Sequence, residues 1–73
     1  MNDTAMNIHW EDGFTIKVSA ENEQVVISAN REGLLSLANI LKALADQEPG
    51  GHVHLDEHNS LEENSAELVI EKI

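Results

Sequence analysis

Apolar and polar residues alternate most clearly at Phe14-Thr15-Ile16-Lys17-Val18-Ser19. A period of two predicts a strand with one face on a core and the other in water. Upstream, Glu11-Asp12-Gly13 separates this run from Ile8-His9-Trp10, and Asp-Gly between apolar runs predicts a hairpin turn. Downstream, Ala20-Glu21-Asn22-Glu23 reads as a turn. The β-branched run Gln24-Val25-Val26-Ile27-Ser28-Ala29 then returns antiparallel to its predecessor.

The period changes after Asn30, a residue suited to capping a helix N-terminus, with Glu32 near the positive helix end. Leu34, Leu37, Leu41 and Leu44 recur at helical spacing, flanked on the wheel by Gly33, Ala38, Ile40 and Ala45. Asn39, Lys42 and Asp46 lie opposite the stripe, and Leu35 falls with them. Pro49 and Gly50-Gly51 predict a helix end near Gln47. Two further strands follow, Gly51 to Asp56 and Ala66 to Glu71, the second with Leu68 and Ile70 inward and Glu67 and Glu71 outward. In the acidic loop between them, Ser60-Leu61-Glu62-Glu63 has the form of a capping box and predicts one helical turn. There is no internal repeat. The expected fold is α+β in β-β-α-β-β order: an antiparallel sheet of four strands, five if residues 8–10 join, with one helix packed on one face. Residues 8–73 form a single domain behind a flexible segment, 1–7.

A helix about 10 Å wide cannot cover four strands spaced about 4.8 Å apart. One sheet face is therefore expected to be open, carrying Thr15, Lys17, His52, His54, Asp56, Glu67, Val69 and Glu71. Homodimerisation through that face, a strand edge or the Leu35 side of the helix is an expectation of the same geometry.

Charge narrows the partners. Four Lys/Arg against fourteen Asp/Glu give a net charge of −10, which repels phosphate backbones and anionic membranes and steers basic proteins inward. Neither nucleic acid nor membrane is an expected partner. The same charge also serves simply as a solvated surface. The chain has no cysteine, hence no disulfide and no thiolate metal site, and its start lacks the basic and apolar regions of a secretion signal. A cytoplasmic protein is expected.

Three of the four histidines fall in His52-Val53-His54-Leu55-Asp56-Glu57-His58. On a strand, His52, His54 and Asp56 share one face while Val53 and Leu55 anchor the other. The run resembles the His-x-His-x-Asp-His zinc motif of metallo-β-lactamase-like hydrolases, but Glu57 displaces the last histidine and 73 residues cannot supply that two-sheet scaffold. A simpler zinc or nickel site remains open, with His52 and His54 as ligands joined by Asp56, His58 or a cross-strand Glu67 or Glu71. The plain alternative is a row of solvated surface positions. No serine has a nucleophile-elbow context and no glycine-rich loop precedes the helix, so catalysis is not expected.

Taken together, Ala29-Asn30-Arg31-Glu32-Gly33-Leu34-Leu35-Ser36-Leu37-Ala38, Leu41, Leu44-Ala45, His52-Val53-His54-Leu55-Asp56 and Ser65-Ala66-Glu67-Leu68-Val69-Ile70 resemble the small α+β family of immunity protein 32, over about residues 14–73. The resemblance implies an antidote to a bacterial polymorphic toxin that works by tight, non-catalytic binding. Under it, His52, His54, Asp56, Glu67 and Glu71 are the candidate contact residues. A basic toxin suits the acidic surface. Two other readings stand beside it: a small metal-binding protein using His52, His54, Asp56 and His58, and a structural homodimer.

Overall fold

A computed structural model describes residues 8–73; the segment 1–7, expected to be flexible, lies outside the described residues. The elements run β1 (Ile16–Glu21), β2 (Gln24–Ala29), α1 (Arg31–Ala45), β3 (His52–Leu55) and β4 (Leu68–Glu71), in the expected order. The expected four-stranded sheet, by contrast, is not formed. β1 and β2 make one antiparallel pair, and β3 and β4 make another.

The reason lies in the loop before β4. Its residues occupy the second edge of β1, where Glu62 N–H donates to the Ile16 carbonyl at 2.8 Å and Ala66 N–H to the Val18 carbonyl at 2.9 Å. The Ser65 hydroxyl accepts from Val18 N–H at 3.1 Å, a side chain standing in for a backbone partner. Between these anchors Asn64 adopts φ 70°, which turns the chain out of the extended conformation a ladder needs. The segment is thus a strap across β1, and β4 begins only beyond it.

The β1–β2 hairpin closes through Asn22 (φ 53°) and Glu23 (φ 63°). Both lie in the left-handed region that a two-residue turn demands if its twist is to match its strands. The turn is therefore shorter than the four residues expected, and β1 extends through Ala20 and Glu21. At the start of the domain Gly13 (φ 79°) makes the predicted Asp-Gly turn, but Ile8-His9-Trp10 is not a strand. Trp10 instead stacks on Phe14, ring centroids 4.8 Å apart. The segment docks on the helix through Glu11 N–H donating to Ser36 Oγ (2.8 Å) and Asn39 Nδ2 donating to the His9 carbonyl (2.9 Å).

Asn30 caps α1 as expected: its Oδ1 accepts from Gly33 N–H at 2.7 Å and from Thr15 N–H at 3.0 Å, while its Nδ2 donates to the Gly13 carbonyl at 3.0 Å. One side chain thereby ties helix, β1 and the preceding turn together. The helix ends at Ala45, and Lys72 Nζ donates to the Ala45 and Gln47 carbonyls at 2.8 and 3.1 Å, holding the negative helix end.

The buried face of α1 is rotated from the leucine stripe. Gly33, Ser36, Leu37, Ile40 and Leu44 are buried, while Leu34 and Leu41 are about half exposed. Gly33 sets this rotation, because it brings the helix so close to β1 that a Cβ there would sit 2.3 Å from the Thr15 carbonyl oxygen. The core is Ile16, Val18, Leu37, Ile40, Leu55 and Leu61, with Trp10, Phe14, Val53 and Leu68 packed around it. Leu61, expected in a helical turn, fills the core from a non-helical loop.

Candidate functional site

β3 and β4 pair with His52 opposite Glu71, Val53 opposite Ile70, His54 opposite Val69 and Leu55 opposite Leu68. Directly opposed side chains share a face, so His52, His54, Val69 and Glu71 lie together, and Glu67 joins them by the same alternation. All five are exposed. The inward row of Val53, Leu55, Leu68 and Ile70 holds this face in place.

The two imidazoles are oriented by their neighbours. His52 Nδ1 lies 3.0 Å from the Gly50 carbonyl, and His54 Nδ1 lies 3.0 Å from Glu67 Oε2. Carbonyl and carboxylate oxygens only accept, so each ring donates from Nδ1 and turns Nε2 outward. The rings meet edge to face with centroids 5.0 Å apart. What the pair offers is two fixed ring nitrogens beside two carboxylates, a surface for donors such as lysine, arginine or backbone N–H.

Asp56 and His58 do not join it. The Asp56 carboxylate turns back to accept from His58 N–H at 2.8 Å, and the Asp56 carbonyl accepts from Leu61 N–H at 2.9 Å. Asn59 secures the same turn, donating to the His54 carbonyl at 3.2 Å and accepting from Asp56 N–H at 3.1 Å. The aspartate therefore serves the turn that places Leu61. Among the described residues no group of three or more His, Asp or Glu is placed to hold a metal ion, so the fourfold set of His52, His54, Asp56 and His58 is not assembled.

Beside His54 runs an open groove of about 460 Å³, walled by Trp10, Phe14, Val53 and Leu55 with Asn59 and Ser60 at its rim. The Trp10 and Phe14 rings were separate signals in the sequence, and nothing there tied them to the histidines. The hint was the Asp-Gly turn, which folds the Trp10 segment back so that both rings stack.

A model of the immunity protein 32 family matches residues 24–73, from β2 to the end of the chain. The chain belongs to the immunity protein 32 family. It is accordingly an immunity protein of a toxin system, a role that implies a protein toxin as partner. The match starts later than the 14–73 read from the sequence; it contains the histidine-bearing hairpin and the helix but not Trp10, Phe14 or β1. No curated protein and no solved structure matches the chain.

Proposed function

We propose that this immunity protein neutralises a cognate bacterial toxin by stoichiometric, non-catalytic binding, with His52, His54, Glu67 and Glu71 as the polar contact row and the Trp10–Phe14 groove as its apolar anchor point. Asp56 contributes by shaping the adjoining turn. The observation that carries this reading is the orientation of both imidazoles by Gly50 and Glu67 beside an aromatic-walled groove. Buried aromatic anchors surrounded by oriented polar groups are what dominate binding energy at protein interfaces. A net charge of −10 favours a toxin with a basic surface, which such a charge attracts from a distance and whose substrate groove carboxylates can occupy.

The test is co-expression of the full chain with the toxin encoded beside it, scored by growth, followed by calorimetry of the purified pair. The expected result is protection and tight one-to-one binding, reduced about a hundredfold or more in a His52→Ala/His54→Ala/Glu67→Ala variant that keeps the wild-type circular dichroism. Absence of binding and protection would overturn neutralisation of that toxin. A variant that binds like the wild type would remove the histidine row from the interface.

A further inference from the structure

We infer that a second copy of this chain docks along β2, antiparallel to it, so that the two-stranded sheet becomes four-stranded across a two-fold axis. The argument begins with which backbone groups β1 leaves free. Ile16 and Val18 use their backbone groups to hold the strap, so Lys17, Ser19 and Glu21 face β2 and pair there with Ser28, Val26 and Gln24. The alternation of an antiparallel ladder then directs the N–H and C=O groups of Val25, Ile27 and Ala29 away from β1. Every residue of β2 up to Ser28 is exposed, with Val25 at 65% and Ile27 at 43%.

Proteins usually guard such an edge with lysine, proline, a bulge or an inward charge. Gln24-Val25-Val26-Ile27-Ser28-Ala29 has none of these. Two-stranded sheets are marginal alone and gain most from a third and fourth strand.

Charge selects the occupant. Two copies at −10 each repel over most of their surfaces, but β2 holds none of the fourteen acids. Setting Ile27 against Ile27 pairs Val25 with Ala29 of the other copy and matches all three outward residues. The same register brings Glu23 at the hairpin turn to Arg31 at the start of the other helix, twice by symmetry. Arg31 is well exposed and, among the described residues, is paired with Glu32 alone, at 3.7 Å.

The apolar pattern agrees. Cross-strand pairing with Ala20 and Val18 puts Val25 and Ile27 on the helix-bearing side of the hairpin. On that side α1 has no charged residue between Glu32 and Lys42, and Leu34 is 56% exposed; Leu41 lies instead in a groove with Glu71, Lys72 and Ile73. A two-fold axis normal to the sheet keeps both helices on that side, so Val25 and Ile27 of the two copies meet there across the new strand pair. The histidine face lies on the other hairpin, so the dimer carries two toxin sites.

The test is sedimentation velocity on the full chain over a concentration series, with Ile27→Lys, Glu23→Arg, Arg31→Glu and the Glu23→Arg/Arg31→Glu double variant. The expected species has twice the mass of one chain. Ile27→Lys should return it to the single-chain mass with unchanged circular dichroism. Each charge reversal should weaken association roughly three- to tenfold, and the double variant should restore it, a rescue that a folding defect cannot imitate. A single-chain mass throughout, or a dimer indifferent to Ile27→Lys and to the charge reversals, would overturn the inference. So would a monomer whose Ile27→Lys variant loses the toxin, which would assign the edge to the toxin instead.

Discussion

Replacing Gly33 by alanine should destabilise the protein, although a glycine-to-alanine change inside a helix ordinarily stabilises by about 1 kcal/mol. The new Cβ would stand 2.3 Å from the Thr15 carbonyl oxygen, 1.1 Å short of the 3.4 Å where ordinary contact begins, and 3.0 Å from both Ala29 Cβ and Ile16 Cγ1. The obstacle is backbone, so no side-chain rotation relieves it. Parting helix and strand by that amount breaks the Asn30 N–H bond to the Thr15 carbonyl, now 3.2 Å, and strains the 3.0 Å bond from Thr15 N–H to Asn30 Oδ1. Overpacking costs about 1–3 kcal/mol and each lost hydrogen bond about 1 kcal/mol, against the gain of about 1 kcal/mol in propensity. The net loss is about 2 kcal/mol, from a total of roughly 4–11 kcal/mol for a chain of this length. Thermal unfolding followed by circular dichroism should show Tm lower by about 10 °C. The exposed Ala38→Gly serves as the propensity control and should also lower Tm, by about 5 °C. A Tm for Gly33→Ala equal to or above that of the wild type would refute the close approach that sets the helix rotation.

Asn30→Ala removes a helix cap, an acceptor for Thr15 N–H and a donor to Gly13, and should destabilise by about 2 kcal/mol in urea unfolding, more than an ordinary cap loss. A loss below about 0.5 kcal/mol would show that the cap is replaced by water. His54→Ala should change stability by less than about 1 kcal/mol, because the His54–Glu67 pair is more than half exposed; a larger loss would make the row part of the scaffold. Zinc titrated into the metal-free chain should bind no more tightly than a pair of surface imidazoles does, and stoichiometric micromolar binding lost in His52→Ala/His54→Ala would revive the metal reading.

What could be read from the sequence was local. The period of two at residues 52–55 and 68–71 assigned each side chain of that hairpin to its face, because alternation is a property of any strand. The Asn30 cap and the helix length followed from the same kind of short-range chemistry. Helix rotation did not: leucines at 34 and 41 suggested a buried stripe, but Gly33 and Ser36 were free to approach β1 and its docked segment, and closeness outweighed hydrophobicity. The strap was illegible because Ser65, a small polar residue in an acidic loop, carries no sign that it will replace a strand residue 47 positions away. Leu61 was hidden for a related reason, being isolated among acids with no periodic neighbours. Of the candidate site, the shared face of His52, His54, Glu67 and Glu71 was legible; the departure of Asp56 and the arrival of the aromatic groove depended on turns.

The strap also orders events in time. Residues 14–45 can fold through contacts between near neighbours in the chain, whereas joining the second hairpin to the first requires closing a long loop, an entropic step that precedes its reward. The bonds from Glu62, Ser65 and Ala66 to β1 therefore belong to the last stage of assembly. Ser65→Ala should accelerate unfolding in stopped-flow denaturant jumps and leave the refolding rate nearly unchanged, whereas Asn30→Ala should slow refolding. Equal effects of both substitutions on refolding would mean that the two hairpins condense together. By the same reasoning, those three residues of an irregular loop should set how long the folded state of this immunity protein persists.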